Sequence, residues 1–245
     1  MGSRLSYLWL FEKVFYIWHK TKTIENLFSI LHYASEILVI LVFLIFVKQL
    51  IKDKGLVFIL TYTLLDLLLN YYYRNINRKL YLYLWSTFTF VEYIVFTYFL
   101  WANIKSKIFR ALILWLSAFF IVFTSIYNVQ TNFRNIDSIP IGVETILILV
   151  YSFYYLYEQM NDNSTLFIYS KYQFWIVIGF LIYLAGSFFI FIFSSKWTSV
   201  DFFAKYWYVT NGFYAFMNLM FIIAFFMKAK KAPNLNHRQP LPFLN

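Results

Sequence analysis

Seven long apolar runs constrain this chain more than any other feature of its sequence. They cover residues 28–47, 56–73, 81–101, 108–127, 139–158, 174–194 and 207–227. A membrane-spanning helix needs about 20 mostly apolar residues, and each run is close to that length. The runs are too long, and alternate too little between polar and apolar residues, for the strands of a membrane barrel. The pattern therefore predicts an all-α, polytopic bundle of seven transmembrane helices.

The composition of the chain agrees with a membrane location. Hydrophobic residues make up 62% of the sequence and charged residues 13%, whereas soluble domains have about 45–50% and about 25%. A soluble fold of 245 residues has too little interior to hide that much apolar surface. Tryptophans mark the ends of several runs, at Trp101, Trp175, Trp197 and Trp207, as is typical of an interfacial belt. We therefore expect the lipid bilayer to be the main partner of the chain.

Basic residues give the chain a net charge of +10, and they lie between the apolar runs. Lysine and arginine in short loops contact lipid phosphates and set membrane topology, so we predict no nucleic-acid partner. The cluster KAKK at Lys228–Lys231 directly follows the last run. It favours a cytoplasmic C-terminus because positive charge accumulates on that side of a membrane.

Three regions follow from these patterns. Residues 1–26 contain LSYLWLFEKVFYIWHK, a broken apolar run that predicts an amphipathic helix lying in the membrane interface. An extension of the first span is the alternative for this segment. Residues 27–228 form the seven-helix domain, and residues 229–245, with three of the four prolines, form a disordered tail.

Four acidic residues lie inside the predicted spans: Glu36, Asp66, Glu92 and Glu144. A charge at the centre of a bilayer costs on the order of 2.5–3.5 kcal/mol, and apolar residues would avoid that cost. Because no lysine lies deep in a span to neutralise them, these acids predict a polar cavity within the bundle. The alternative is that each acid is protonated and only hydrogen-bonds to a neighbouring helix, at about 0.6 kcal/mol per bond.

Helical spacing groups these acids with other polar residues. His32 lies one turn before Glu36, Asn70 lies one turn after Asp66, and Asn211 and Asn218 share a face of the last span. The predicted ligand- or proton-binding residues are therefore Glu92, Asp66, Glu36, Glu144, His32, Asn70, Asn211 and Asn218. The asparagines have an alternative role as hydrogen bonders between helices.

The sequence predicts no metal and no cofactor. His32 and Glu36 have the spacing of two metal ligands on one helix face, but two residues do not define a site. The chain has no cysteine, which excludes thiolate ligands and disulfides. In the sixth span, Gly179 and Gly186 have the spacing of small residues that let helices approach closely.

The last two spans carry a resemblance. QFWIVIGFLIYLAGSFFIFIF at Gln173–Phe193 and YWYVTNGFYAFMNLMFIIAF at Tyr206–Phe225 are similar to a group of bacterial seven-helix proteins with no established activity. Asp66, the Glu92–Tyr93 pair and Glu144 fit the same group, although Leu65–Asp66 replaces the Thr–Glu that is usual there. The resemblance covers about residues 28–227 and implies a multi-pass protein of the bacterial inner membrane, without implying an activity.

Three functions are compatible with an acidic intramembrane cavity. The leading hypothesis is a non-enzymatic sensor that binds a small cationic or amphiphilic ligand and passes the signal to a membrane or cytoplasmic partner. The second is a proton- or cation-coupled transporter or channel that uses the same acids as a relay. The third is an intramembrane lipid-modifying enzyme, which the scarcity of histidines and the lack of a visible nucleophile disfavour.

Overall fold

The computed structural model describes residues 27–72, 77–131, 138–161, 167–194 and 200–230, and within these ranges the chain forms helices and no strands. The helices are α1 (Leu27–Ile45), α2 (Val47–Leu50), α3 (Lys54–Tyr72), α4 (Arg78–Asn103), α5 (Lys107–Thr131), α6 (Ser138–Met160), α7 (Tyr172–Ser194) and α8 (Val200–Lys230). A short 3-10 helix, Ile168–Ser170, precedes α7. The predicted all-α architecture is confirmed for the described ranges.

Six helices are long and apolar enough to cross a membrane: α1, α3, α5, α6, α7 and α8. This is consistent with a helical membrane bundle, and six of the seven predicted spans coincide with helices that have the length and apolar composition of a membrane span. The third predicted span corresponds to α4, which is 26 residues long but is not among the six. Four polar residues between positions 86 and 92, Ser86, Thr87, Thr89 and Glu92, make it less apolar than the others.

Two predicted segments lie outside the described residues. These are the interfacial helix at residues 1–26 and residues 231–245 of the C-terminal tail. Helix α8 continues through Lys230, two residues beyond the predicted end of the bundle at residue 228.

Side-chain caps start several helices at the bundle ends. Asn77 accepts a hydrogen bond from the Leu80 backbone N–H at 2.8 Å, at the start of α4. The Glu158 carboxylate, at the end of α6, accepts from the Lys105 and Ser106 backbone N–H groups at 2.6 and 2.8 Å, just before α5. A carboxylate at this position satisfies N–H groups that have no partner within the helix. Glu158 therefore connects the end of α6 to the beginning of α5.

Helix α8 packs most extensively against α7, and α7 packs in turn against α6. Helix α4 contacts α3 and α6, so that α3, α4, α6, α7 and α8 surround a common interior. Helix α1 joins through aromatic contacts with α8, including Phe28 stacked on Tyr208 and Phe43 edge-on to Phe225. Helix α5 is peripheral, and its Trp115 is 79% exposed, which suits a side chain facing lipid.

Two glycines in α7 allow its close approach to α8, as predicted. A Cβ at Gly179 would lie 3.2 Å from the Met220 Cβ and 3.3 Å from the Met217 carbonyl oxygen. A Cβ at Gly186 would lie 2.5 Å from the Phe213 ring. Because backbone and Cβ atoms face Gly179, there is little room for a side chain at that position.

We expect Gly179→Val to destabilise the bundle by about 1–3 kcal/mol, the usual cost of inserting extra methyl groups into a packed core. Thermal unfolding of the protein in detergent measures this loss. The control is Ala185→Val on the same helix, where the side chain is exposed and the added methyl groups face lipid. Equal melting temperatures for the two variants would contradict the close packing of α7 on α8.

Candidate functional site

The first polar group in the bundle interior consists of His32, Glu36 and Asp66, which we call the His32 triad. His32 and Glu36 face inward from successive turns of α1, and Asp66 comes from α3. The His32 Nε2 atom lies 3.3 Å from Glu36 Oε1 and 3.3 Å from Asp66 Oδ2. All three residues are buried, with 5%, 1% and 5% of their surface exposed. The imidazole therefore bridges two carboxyl groups from different helices.

Glu36 is the least satisfied member of the triad. Both of its carboxyl oxygens are buried without a hydrogen-bond partner, although His32 is close by. A buried polar group that lacks a partner usually marks a functional site or a bound water or ion. The Glu36 carboxyl can therefore accept a further hydrogen bond or bind a ligand.

Tyrosine hydroxyls surround the space next to the triad. Tyr62 lies on the same face of α3 as Asp66, one turn before it, and its hydroxyl is 2.5 Å from that of Tyr214 on α8. Tyr214 also contacts His32, with ring centroids 4.8 Å apart, and Tyr183 of α7, with centroids 4.3 Å apart. These tyrosines extend the polar interior from α1 and α3 towards α7.

Glu92 of α4 and Glu144 of α6 continue this polar interior on the far side of the tyrosines. Glu92 is 7% exposed and Glu144 is 2% exposed. The Tyr183 side chain lies beside Glu92 on the cavity wall, and Glu92 and Glu144 are close enough to repel each other when both are ionised. We call Glu92, Glu144, Tyr183, Tyr214 and Tyr62 the carboxyl–tyrosine array.

A small internal cavity lies within the array. Its lining includes Glu92, Glu144, Tyr183 and Tyr214, together with Trp85, Phe88, Thr89, Ile141, Thr145 and Leu184. The space open to the centre of a water-sized sphere is about 20 Å³. A single water needs at least about 10–15 Å³ on this measure, so the cavity has room for one or two waters.

The four intramembrane acids predicted from the sequence thus lie in one connected interior region. His32 and Glu36 also share a helix face, as their spacing predicted. The asparagines have other surroundings. Asn218 donates to Ser35 Oγ at 2.9 Å and Asn211 donates to Ser29 Oγ at 3.5 Å, so both connect α8 to α1. Asn70 is half-buried near the end of α3, and it does not line the cavity.

Sequence reasoning missed Tyr183 and Thr145 as parts of the site. Tyr183 was hidden among 22 tyrosines, most of which mark membrane interfaces or packing positions. Its position between Gly179 and Gly186 could have identified it. A side chain on the same close-packed face of α7 as these glycines must point into the bundle. Thr145 directly follows Glu144, and its position on the cavity wall becomes visible only from the helix arrangement.

A second polar site lies at one end of the bundle, just before α3. Asp53 accepts hydrogen bonds from the Lys228 ammonium at 2.9 Å, from the Tyr172 hydroxyl and, through its other oxygen, from the Gly55 backbone N–H at 3.1 Å. Burial favours the neutral carboxyl, but the hydrogen bonds from Tyr172 and Lys228 outweigh it and hold the pKa of Asp53 below its usual value. This contact fixes the end of α8 against the start of α3.

No protein-family model, curated protein or solved structure matches this chain.

We expect Asp53→Asn to lower stability at neutral pH by less than about 1 kcal/mol, because the ion pair is partly accessible to solvent. The amide oxygen keeps the cap on α3, whereas the amide nitrogen that replaces the other oxygen cannot accept the hydrogen bonds from Tyr172 and Lys228. Since the folded pKa is below the unfolded value of about 3.9, the stabilisation is complete above that value and disappears as the pH falls through the folded pKa. The difference in melting temperature between wild type and variant should therefore shrink as the pH falls below about 4. A difference that stays constant with pH would contradict this assignment.

Proposed function

We propose that this chain is an integral membrane protein that binds and moves protons or small cations through the interior of its helix bundle. The observation that supports this most directly is that α1, α3, α4 and α6 contribute five buried ionisable residues beside tyrosine hydroxyls, and that two of the five, Glu92 and Glu144, line a water-sized cavity. Ionisable residues inside membrane bundles are costly, and they commonly form ion pathways and proton relays. Proton- or cation-coupled transport is the function that best accounts for them.

The size of the cavity favours an ion over an organic ligand. Space for one or two waters does not admit an amphiphile or an organic cation. The sensor predicted from the sequence would need such a ligand to enter the cavity, unless a proton alone is its signal. A proton needs only hydrogen-bonded groups, and a small cation needs only oxygen or nitrogen ligands.

The array has the chemical groups that proton movement requires. A tyrosine hydroxyl both donates and accepts a hydrogen bond, so it can receive a proton on its lone pair while releasing its own. Tyr183 lies beside Glu92, Tyr214 beside Tyr183, and the Tyr62 hydroxyl is 2.5 Å from that of Tyr214. Glu92 and Glu144 lie at one end of this series as the proton-carrying groups. The series ends on the face of α3 that carries Asp66.

Flux through reconstituted vesicles tests the proposal. We expect vesicles containing the full chain to take up protons, reported by a trapped pH-sensitive dye, when a potassium gradient with valinomycin sets the membrane potential. Glu92→Gln should abolish the uptake because an amide cannot carry the proton. The matched control is Asp53→Asn, which makes the same carboxyl-to-amide change outside the spans and should leave the flux intact.

The absence of proton, sodium, potassium and divalent-cation flux in wild-type vesicles would contradict transport. If the purified protein then still took up protons in a manner that depends on Glu92, the proton-responsive form of the sensor would replace it. Changes in lipid composition on incubation, lost in Asp66→Asn, would instead favour the lipid-modifying enzyme.

A tyrosine variant tests the relay separately from the acids. Tyr183→Phe removes the hydroxyl but keeps the ring that packs on Tyr214. We expect slower proton uptake with only a small change in melting temperature. Tyr154→Phe is the control, because the Tyr154 ring stacks on Phe109 at 3.5 Å, away from the cavity lining. Equal flux in Tyr183→Phe and wild type would exclude this hydroxyl from the pathway.

A further inference from the structure

We propose that the His32 triad binds one divalent transition-metal ion, of the Zn²⁺ class, through His32 Nε2, a Glu36 oxygen and an Asp66 oxygen. The inference rests on the proposed function in one respect, since it names the cation that the bundle would move. The binding itself stands on the geometry and chemistry of the three side chains.

The spacing of the three ligand atoms fits a metal. In a tetrahedral zinc site with ligand distances of about 2.0–2.2 Å, neighbouring ligand atoms are separated by about 3.3–3.6 Å. The His32 nitrogen lies 3.3 Å from an oxygen of each acid. The three atoms all lie within 4.8 Å of one another, so the third separation needs at most a small rotation of a carboxyl group. An ion placed between them would reach all three ligands.

The charges also balance. A neutral imidazole and two carboxylates carry a net charge of –2, which a divalent cation cancels. Without a metal ion, the buried triad is neutral only if at least one of its carboxyl groups is protonated, because an imidazolium supplies a single positive charge. Among the described residues, no lysine or arginine forms an ion pair with Glu36 or Asp66.

The Glu36 carboxyl, whose oxygens have no well-oriented hydrogen bond, is a second indication of a ligand in the triad. Glu36 is 1% exposed, and neither of its oxygens has a hydrogen-bond partner, although one faces His32 at 3.3 Å. A metal ion in the triad would bind this carboxyl and so give it the partner that buried polar atoms normally have.

The types of ligand indicate which class of ion fits. Imidazole nitrogen suits zinc, copper, iron and nickel, whereas all-oxygen sites suit magnesium and calcium. One imidazole with two carboxylates therefore favours zinc or a similar first-row ion. Three protein ligands leave one tetrahedral position open, as in zinc sites that exchange a water. An open position would let an ion enter and leave, which transport requires.

Metal binding by the full chain in detergent tests the inference. After chelator treatment and removal of the chelator, we expect the protein to bind one Co²⁺ per chain, seen as visible d–d absorption, and to release it to added Zn²⁺. Each ligand substitution should weaken Zn²⁺ binding strongly: His32→Ala, Glu36→Gln and Asp66→Asn. Substitutions of residues that only support a metal ligand reduce affinity by about 10- to 100-fold, and we expect a larger loss here. Asp53→Asn is the control, because it makes the same carboxyl-to-amide change outside the triad and outside the carboxyl–tyrosine array, and it should bind Zn²⁺ like wild type.

The variant His32→Cys distinguishes direct metal ligation from a role of His32 in folding alone. The chain has no cysteine, so a new sulfur-to-cobalt charge-transfer band in this variant would come from direct ligation at position 32. If the substituted chains fail to fold, the wild-type stoichiometry still decides the question.

Wild-type protein that binds no Co²⁺ or Zn²⁺ would overturn the inference, as would unchanged affinity in Glu36→Gln and Asp66→Asn. The two proposals fail separately. Stoichiometric metal binding without ion flux would retain the site and reject transport, whereas proton flux without metal binding would retain transport and reject the site.

Discussion

The absence of hydrogen-bonding partners in the bilayer is the constraint on which this structure depends. Every buried polar group must find its partner within the protein, because lipid chains offer none. The chain places five ionisable residues inside its helix bundle, so the helices that carry them must meet. The His32 triad joins α1 to α3, and the carboxyl–tyrosine array joins α3 and α8 to α4, α6 and α7. The positions of the buried polar groups therefore determine which helices pack against each other.

The packing of α7 on α8 controls the geometry of that interior. Gly179 and Gly186 let α7 approach α8, and this approach brings Tyr183 against Tyr214. An aromatic core supports the same contact, with Phe180 stacked on Phe96 at 4.0 Å and edge-on to Phe221 at 5.9 Å. Because packed aromatic rings leave few alternative arrangements, the hydroxyl groups at the end of the tyrosines are held in place. Apolar packing thus positions the polar groups.

Much of the fold could be predicted because bilayer thickness fixes the length of a spanning helix. The run that became α7 was visible in this way, and so was the face shared by His32 and Glu36, since helical periodicity determines it. The sequence did not predict which residue would contact this face. Asp66 comes from another helix, and contacts between distant segments leave no local pattern in the sequence. The same limit applies to Glu158, which lies at the end of α6 but caps the start of α5, 52 residues earlier in the chain. Asn218 likewise showed its inward direction but not its partner, Ser35.

The position of α1 has a consequence for how the surrounding lipid acts on the protein. Most of this helix faces outward, with Ile30 and Ile45 strongly exposed, while one narrow stripe touches α8 and supplies two members of the triad. The third member belongs to α3, so a slide or tilt of α1 alters the distances between imidazole and carboxyl groups. Membrane thickness and lateral pressure bear directly on such an outer helix. The tilt of α1 and the geometry of the triad are therefore linked, since one helix carries both the lipid-facing surface and two of the three ionisable side chains.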